Sequence, residues 1–171
     1  MSDMEKRDGL SLVGDLFTIL HQAATRLDAA GIRYALVGGL AYSLYVELRG
    51  TEDIDLLITP DDWDAVKATL APMDFHEYAT GMDFHNIRIR RLSRLGHDSL
   101  TVMDFLLADG DFIEGLDRRA AFEAAGGRVY LCPVDVLIRL KQGRMSAKDR
   151  SDIAGLEPLL GSPPPPAAPT P

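Results

Sequence analysis

Val37-Gly38-Gly39-Leu40-Ala41-Tyr42 and, further on, Asp53-Ile54-Asp55-Leu56-Leu57-Ile58 decide how this chain is read. The first stretch breaks an apolar run with two glycines and goes on with helix-favouring residues. It predicts a strand, a tight turn and a helix start. Glycine lets backbone approach a phosphate closely, and a helix N-terminus offers unpaired N–H groups and a positive dipole end. The second stretch is a β-like run that opens with two carboxylates. Residues two apart on a strand point to the same side. Two like charges so close are unfavourable unless a cation lies between them, and hard oxygen ligands select magnesium or manganese. A bare Asp-x-Asp is more often a pair of solvated loop residues or a helix cap. The strand, glycine turn and helix that precede it favour a site, because the two stretches together supply a phosphate cradle and a metal pair.

A third acid lies further along. Asp104 sits inside Leu100-Thr101-Val102-Met103-Asp104-Phe105-Leu106-Leu107, a strongly β-like run. Burying a lone carboxylate there costs several kcal/mol unless it meets a cation or a donor. Alternation sets it on one face with Val102 and Leu106. It is either a third acid beside the Asp53–Asp55 pair or an acid matched to one of the many arginines. The strand before it carries Arg88, Arg90, Arg91 and Arg94, with Ile87 and Ile89 alternating inward. That pattern reads as a solvent face, with contact to an RNA end or an acidic partner as the sharper alternative.

Near the C-terminus, Leu131 to Lys141 is followed by Lys148-Asp149-Arg150-Ser151-Asp152-Ile153. Lys141 ends one helix and is expected outside the core. Lys148 begins the next helix and shares a face with Asp152, a spacing that alone reads as a surface ion pair worth under about 1 kcal/mol.

The remaining elements follow from periodicity. Leu10 to Ala30 is helical, with Leu12, Leu16, Ile19, Leu20, Ala23 and Leu27 on its apolar stripe. Arg33 to Val37 is a strand, Gly39 to Leu48 a helix, and Ile54 to Ile58 the next strand. Pro60 introduces a helix to about Leu70. Asn86–Leu92 and Leu100–Leu107 are strands joined through Gly96-His97-Asp98. Asp111 to Ala125 is expected to be helical, stopped by Gly126-Gly127, with a short strand at Arg128–Leu131. Pro133 opens a helix to Lys141, and Ser146 caps a last one with Asp149 three residues on. The expected division is an N-terminal helix over 1–32 packed on the domain, the main domain over 33–160 with its C-terminal helices, and a proline-rich tail over 161–171. That tail reads as disordered or polyproline II.

Composition narrows the function classes. The chain has 171 residues, 46% of them hydrophobic and 26% charged, enough for one domain with a real core. A net charge of -8 argues against a protein that grips long nucleic acid non-specifically. The single cysteine, Cys132, excludes an internal disulfide framework and fits a reducing cytoplasm. No apolar run approaches the roughly 18 residues of a membrane span, and the start Met1-Ser2-Asp3-Met4-Glu5-Lys6 is too polar for a signal peptide. His21, His76, His85 and His97 show no zinc spacing with Cys132. Gly38-Gly39 lacks the third glycine of a dinucleotide fingerprint. Trp63, Tyr42 and Tyr45 read as core rather than as stacking platforms.

The glycine turn, Arg49-Gly50-Thr51-Glu52-Asp53-Ile54-Asp55-Leu56, Asp104 and the late block with Pro133, Lys141 and Lys148-Asp149 together resemble the nucleotidyltransferase superfamily with the polymerase-β-type palm. More narrowly they resemble the AbiEii-type and related minimal nucleotidyltransferases of bacterial toxin–antitoxin systems. The resemblance runs from about Arg33 to Leu156. It implies an α/β (α+β) palm-like mixed sheet of four or five strands with helices mainly on one face. It implies that Asp53 and Asp55 hold Mg2+ or Mn2+ ions that bridge a nucleoside triphosphate (NTP). Asp104 would hold one of them and help activate the attacking hydroxyl. Gly38 and Gly39 would cradle the β- and γ-phosphates, and Lys141 and Lys148 would touch the triphosphate. The implied reaction moves a nucleoside monophosphate to a hydroxyl on an RNA end such as that of tRNA, on a protein or on a small molecule. A cognate toxin or antitoxin is an implied partner. The other class is a non-catalytic module that keeps the fold and acts as an antitoxin or scaffold.

Overall fold

The computed structural model describes residues 3–84, 86–124 and 126–165, and the expected polyproline stretch from residue 166 on lies outside these. The first helix, α1 (Asp3–Ala29), buries Leu16, Leu20, Ala23 and Leu27 at helical spacing. Gly31 ends it with a φ of 71°, in the left-handed region, and the Ile32 N–H turns back to the Leu27 carbonyl at 2.9 Å. The chain then enters β1 (Tyr34–Val37), all four residues of which are buried, and passes at once into α2 (Gly38–Tyr45). Next come β2 (Asp53–Ile58), α3 (Trp63–Leu70), the two-residue β3 (Met82–Asp83) and a long hairpin of β4 (Arg88–Leu95) and β5 (Leu100–Leu107). A short helix α4 (Glu114–Asp117), a second hairpin of β6 (Ala120–Ala124) and β7 (Gly127–Leu131), and helices α5 (Val134–Gln142) and α6 (Ala147–Leu156) complete the domain.

All seven strands form one mixed sheet in the order β3-β4-β5-β2-β1-β7-β6. β2 runs parallel to β5 and antiparallel to β1, and β1 runs parallel to β7. The central strands are apolar on both faces because both are covered. Trp63 of α3 packs its ring 5.6 Å from that of Phe105, on the face shared with Leu56, and α1 contacts α3. On the other face Gly115 of α4 fits tightly against Leu57, Cys132 and Val136 of α5, where a Cβ would come within 2.7 Å of Leu57. The expectation of helices mainly on one face is therefore half of the arrangement, since α4 and α5 cover part of the second.

The sheet is larger than the four or five strands expected, for two reasons. β3 is a two-residue edge strand with no alternation to read. β6 lies where a helix was expected over Asp111–Ala125. Only Glu114–Asp117 is α-helical there, after a 3-10 turn at Gly110–Phe112. Ala120-Ala121-Phe122-Glu123-Ala124 favours helix by propensity, but tertiary pairing overrides it. As β6 it covers the open edge of β7 with Phe122 opposite Val129, both buried, and Gly127 at φ 132° closes the hairpin.

Candidate active site

Strand topology brings the glycine turn and the acids together. Because β1 and β2 are antiparallel neighbours with Val37 opposite Asp55, β1 ends where β2 begins. Gly38 therefore sits directly against Asp55. Its φ is 69°, and a Cβ placed there would lie 2.0 Å from the Asp55 Oδ2 atom. No other residue type fits that turn without moving the carboxylate. Gly39 backs onto the lead-in segment, where a Cβ would meet the Thr51 Oγ1 at 2.7 Å. No side chain caps the start of α2, so its first N–H groups are not taken by a capping residue.

The parallel register pairs Asp55 with Asp104 and Asp53 with Val102. Asp53, Asp55 and Asp104 thus share one face of the sheet on adjacent strands. They line a cleft of about 840 Å3 together with Gly38, Gly39 and Lys148. Burial, and then the charges of Asp104 and Asp53, push the Asp55 carboxyl up to about 7. Burial and then Asp104 also raise Asp53. The site carries more negative charge than its surroundings compensate, which suits a cation.

Asp104 has a second partner. Arg91 sits opposite it in the antiparallel β4–β5 register and donates from Nε and a terminal nitrogen to its two oxygens at 2.7 and 2.8 Å. Both alternatives weighed for Asp104 are thus present at once: it stands beside the acid pair and it is matched to an arginine. Arg91 consequently faces the cleft and not bulk solvent, contrary to the reading of the arginine strand. The remaining members of that strand are also engaged. Arg88 pairs with Asp109 at 3.1 Å, Arg90 with Asp83 at 3.4 Å, and Arg94 stacks 5.1 Å above Phe75. Among the described residues, no three His, Cys, Asp or Glu side chains are gathered closely enough to hold one ion as they stand. Two hard oxygen donors on one strand, Asp53 and Asp55, fit a divalent cation; Asp104 joins them only if Arg91 yields an oxygen.

Lys141 departs most from expectation. It is buried in place of ending α5 in solvent, with its ammonium 2.6 Å from the Asp152 Oδ2. Arg49 donates to the same oxygen at 2.7 Å and lies 4.6 Å over the Tyr42 ring. Asp152, buried on α6, therefore gathers two cations behind the glycine turn and does not pair with Lys148 across a surface turn. The amphipathic α5 buries Lys141 because its head has a partner. Gly155 lets α6 come this near, since a Cβ there would lie 2.7 Å from the Tyr42 hydroxyl oxygen. Asp149 caps α6 in a full capping box with Ser146. Burial alone would raise its carboxyl, but the hydrogen bonds from Ser146 prevail and lower it. Lys148 is exposed and has no carboxylate partner among the described residues, while Arg144 reaches Asp149 at 3.6 Å.

Arg91, Arg49 and Asp152 were not among the site residues expected from sequence. Arg91 had a signal: counting four residues outward from the Leu95–Leu100 pair that closes the hairpin sets it opposite Asp104. Arg49 and Asp152 lie far apart in sequence, and no local spacing joins them.

A stability prediction follows from Asp55. In the metal-free protein its carboxyl titrates near 7, against about 4 for an unfolded aspartate. The folded state binds that proton more tightly, so stability falls as pH rises from about 4 to about 7 and the loss is complete above that. Urea melts in EDTA across this window check the direction, and Asp55→Asn is expected to flatten the slope.

No protein-family model matches the chain, and no curated protein matches it in sequence. In three dimensions it is similar to the lincosamide antibiotic adenylyltransferase LnuA, solved with lincomycin bound, at a TM-score of 0.58 and 15% identity over 84% of this chain and 95% of that one. It is similar to a Thermotoga maritima protein assigned as a nucleotidyltransferase, at 0.58 and 12% identity over 88% and 95%. It is also similar to ANT(2″)-Ia, solved with adenylyl-2″-tobramycin, at 0.53 and 15% identity over 85% and 89%. The chain has the nucleotidyltransferase fold.

Proposed function

We propose that this protein is a divalent-cation-dependent nucleotidyltransferase that moves a nucleoside monophosphate from an NTP to a hydroxyl. The observation that carries the proposal is the packing of Gly38 against Asp55, with Asp53 and Asp104 on the same sheet face. Phosphate-approachable backbone and acid ligands meet there within one cleft. The fold shared with LnuA and ANT(2″)-Ia supports the same reading.

In the proposed reaction the acceptor hydroxyl attacks the α-phosphorus, its bond to the bridging oxygen breaks, and pyrophosphate leaves. Asp53 and Asp55 would hold the Mg2+ or Mn2+ ions. When bound, such ions neutralise charge on the reacting phosphate oxygens. Gly38 and Gly39 present backbone N–H groups to the leaving phosphates. Asp104, once Arg91 yields one of its oxygens, accepts the hydrogen bond of the attacking hydroxyl and takes its proton. Lys141, Arg144 and Lys148 all line the cleft; Lys148 is the one of the three without a carboxylate partner among the described residues and so is the freest to meet the triphosphate, while Asp152 holds the Lys141 ammonium. Lys141 and Arg49 add positive charge behind the turn. The toxin–antitoxin expectation rests on the sequence resemblance alone.

Calorimetry with ATP, GTP, CTP and UTP, in magnesium and in EDTA, tests the proposal. Asp53, Asp55 and Asp104 beside the glycine turn repel a triphosphate unless a cation screens them, so binding is expected in magnesium only. Lys148→Ala is expected to weaken it about tenfold, the worth of one charge-assisted contact. Equal binding in EDTA would contradict the site.

A further inference from the structure

The cleft has two flanks of different chemistry. In the sheet order the acid strands β2 and β5 lie between β1, which delivers the glycine turn, and the outer pair β4 and β3. A triphosphate seated at the turn occupies the first flank, which leaves the acceptor the second. There the cleft is lined by Met82 and Phe84, each exposed by 41%. Register fixes the placement of Met82. It pairs with Ile89, which pairs with Leu106, and this row lies on the acid face two residues along from the Arg91–Asp104–Asp55 row. Two residues of strand span roughly 7 Å, so the apolar row lies one small-molecule ring away from the acids.

Phe84 and Asn86 each have a packing or hydrogen-bond partner. The Phe84 N–H donates to the Ile87 carbonyl at 2.9 Å, and Asn86 is wedged against Gly143, where a Cβ would come 1.8 Å from its amide nitrogen. Leu12 stands on the apolar stripe of α1 but faces the cleft in place of the core. On the acid face of this flank the arginine that lines the cleft, Arg91, is held by Asp104, while Arg90 and Asp83 pair on the opposite face of the sheet.

We propose that the acceptor is a small hydroxyl-bearing molecule with an apolar face, seated against Met82 and Phe84 with its hydroxyl directed to Asp104. The proposal rests on the nucleotidyltransferase reading for its chemistry, but its binding surface is tested without turnover. Octyl β-glucoside below its micelle concentration serves as the probe, with methyl β-glucoside, spermine and a short RNA oligonucleotide as contrasts. Protein labelled at methionine methyl carbons reports by NMR. Met145 is exposed by 46% and does not line the cleft, so it controls for indiscriminate adsorption. Octyl glucoside is expected to shift Met82 saturably and leave Met145 unmoved, and the contrasts to shift neither. Phe84→Ser is expected to weaken binding about tenfold, the worth of one partly covered aromatic ring. Equal shifts from methyl glucoside, displacement by the oligonucleotide or spermine, or equal movement of Met145 would overturn the proposal. Calorimetry with Mg-NTP separates the two failures: NTP binding that survives while Met82 stays silent removes the acceptor assignment and leaves the site.

Discussion

Asp55→Asn is expected to reduce nucleotidyl transfer by at least about 1,000-fold, since losing an ion ligand removes several kcal/mol of transition-state stabilisation. The same substitution is expected to leave the metal-free protein at least as stable as wild type at pH 8. Asp55 lies among Asp53 and Asp104, and its raised carboxyl shows that the folded protein resists its ionisation. Removing the charge relieves that resistance while the amide keeps the shape beside Gly38. Opposite signs for activity and stability are the mark of a residue retained for chemistry. The pair of measurements is a transfer assay and a urea melt in EDTA. A variant that is both inactive and strongly destabilised would mean that Asp55 serves the fold.

Asp152→Ala is expected to have the largest effect on stability, about 3–5 kcal/mol. It leaves the buried Lys141 ammonium and the mostly covered Arg49 guanidinium without their shared oxygen. The denaturation midpoint should fall with little change in slope. If the single variant does not fold, Lys141→Met combined with Asp152→Leu keeps the question open to measurement. Replacing both of these charges by apolar groups of similar size should recover the part of the loss due to the stranded Lys141 ammonium and leave the part due to Arg49. A cost under about 1 kcal/mol for Asp152→Ala would mean that solvent reaches the cluster, as at a surface pair.

What sequence could show depended on whether the information was local. The strand, glycine turn and helix at Tyr34–Tyr45 and the acids of β2 are short-range patterns, and they stand where spacing placed them. Asp104 was found because a carboxylate in an apolar strand must be matched, but the identity of its partner required the hairpin register. Lys141 was misjudged because a lysine near a helix end usually reaches water. Here its partner comes from α6, and no property of α5 announces it. The helix expected over Asp111–Ala125 followed alanine propensity, which the open edge of β7 overrides. Leu12 was assigned to the core by its periodicity, yet it lines the cleft. These departures share one cause, since each is settled by a neighbour distant in sequence.

One assay separates catalysis from mere binding. Wild-type protein is incubated with each NTP labelled at the α-phosphate, with magnesium, and offered a hydroxyl-bearing acceptor with an apolar face, total RNA and a protein fraction in separate reactions. Transfer of label with release of unlabelled pyrophosphate is expected, dependent on magnesium and absent from Asp53→Ala and Asp55→Ala. No labelled product in any reaction, from a folded protein that binds a partner equally well with and without these aspartates, would contradict it and leave a binding module that keeps the fold without the chemistry.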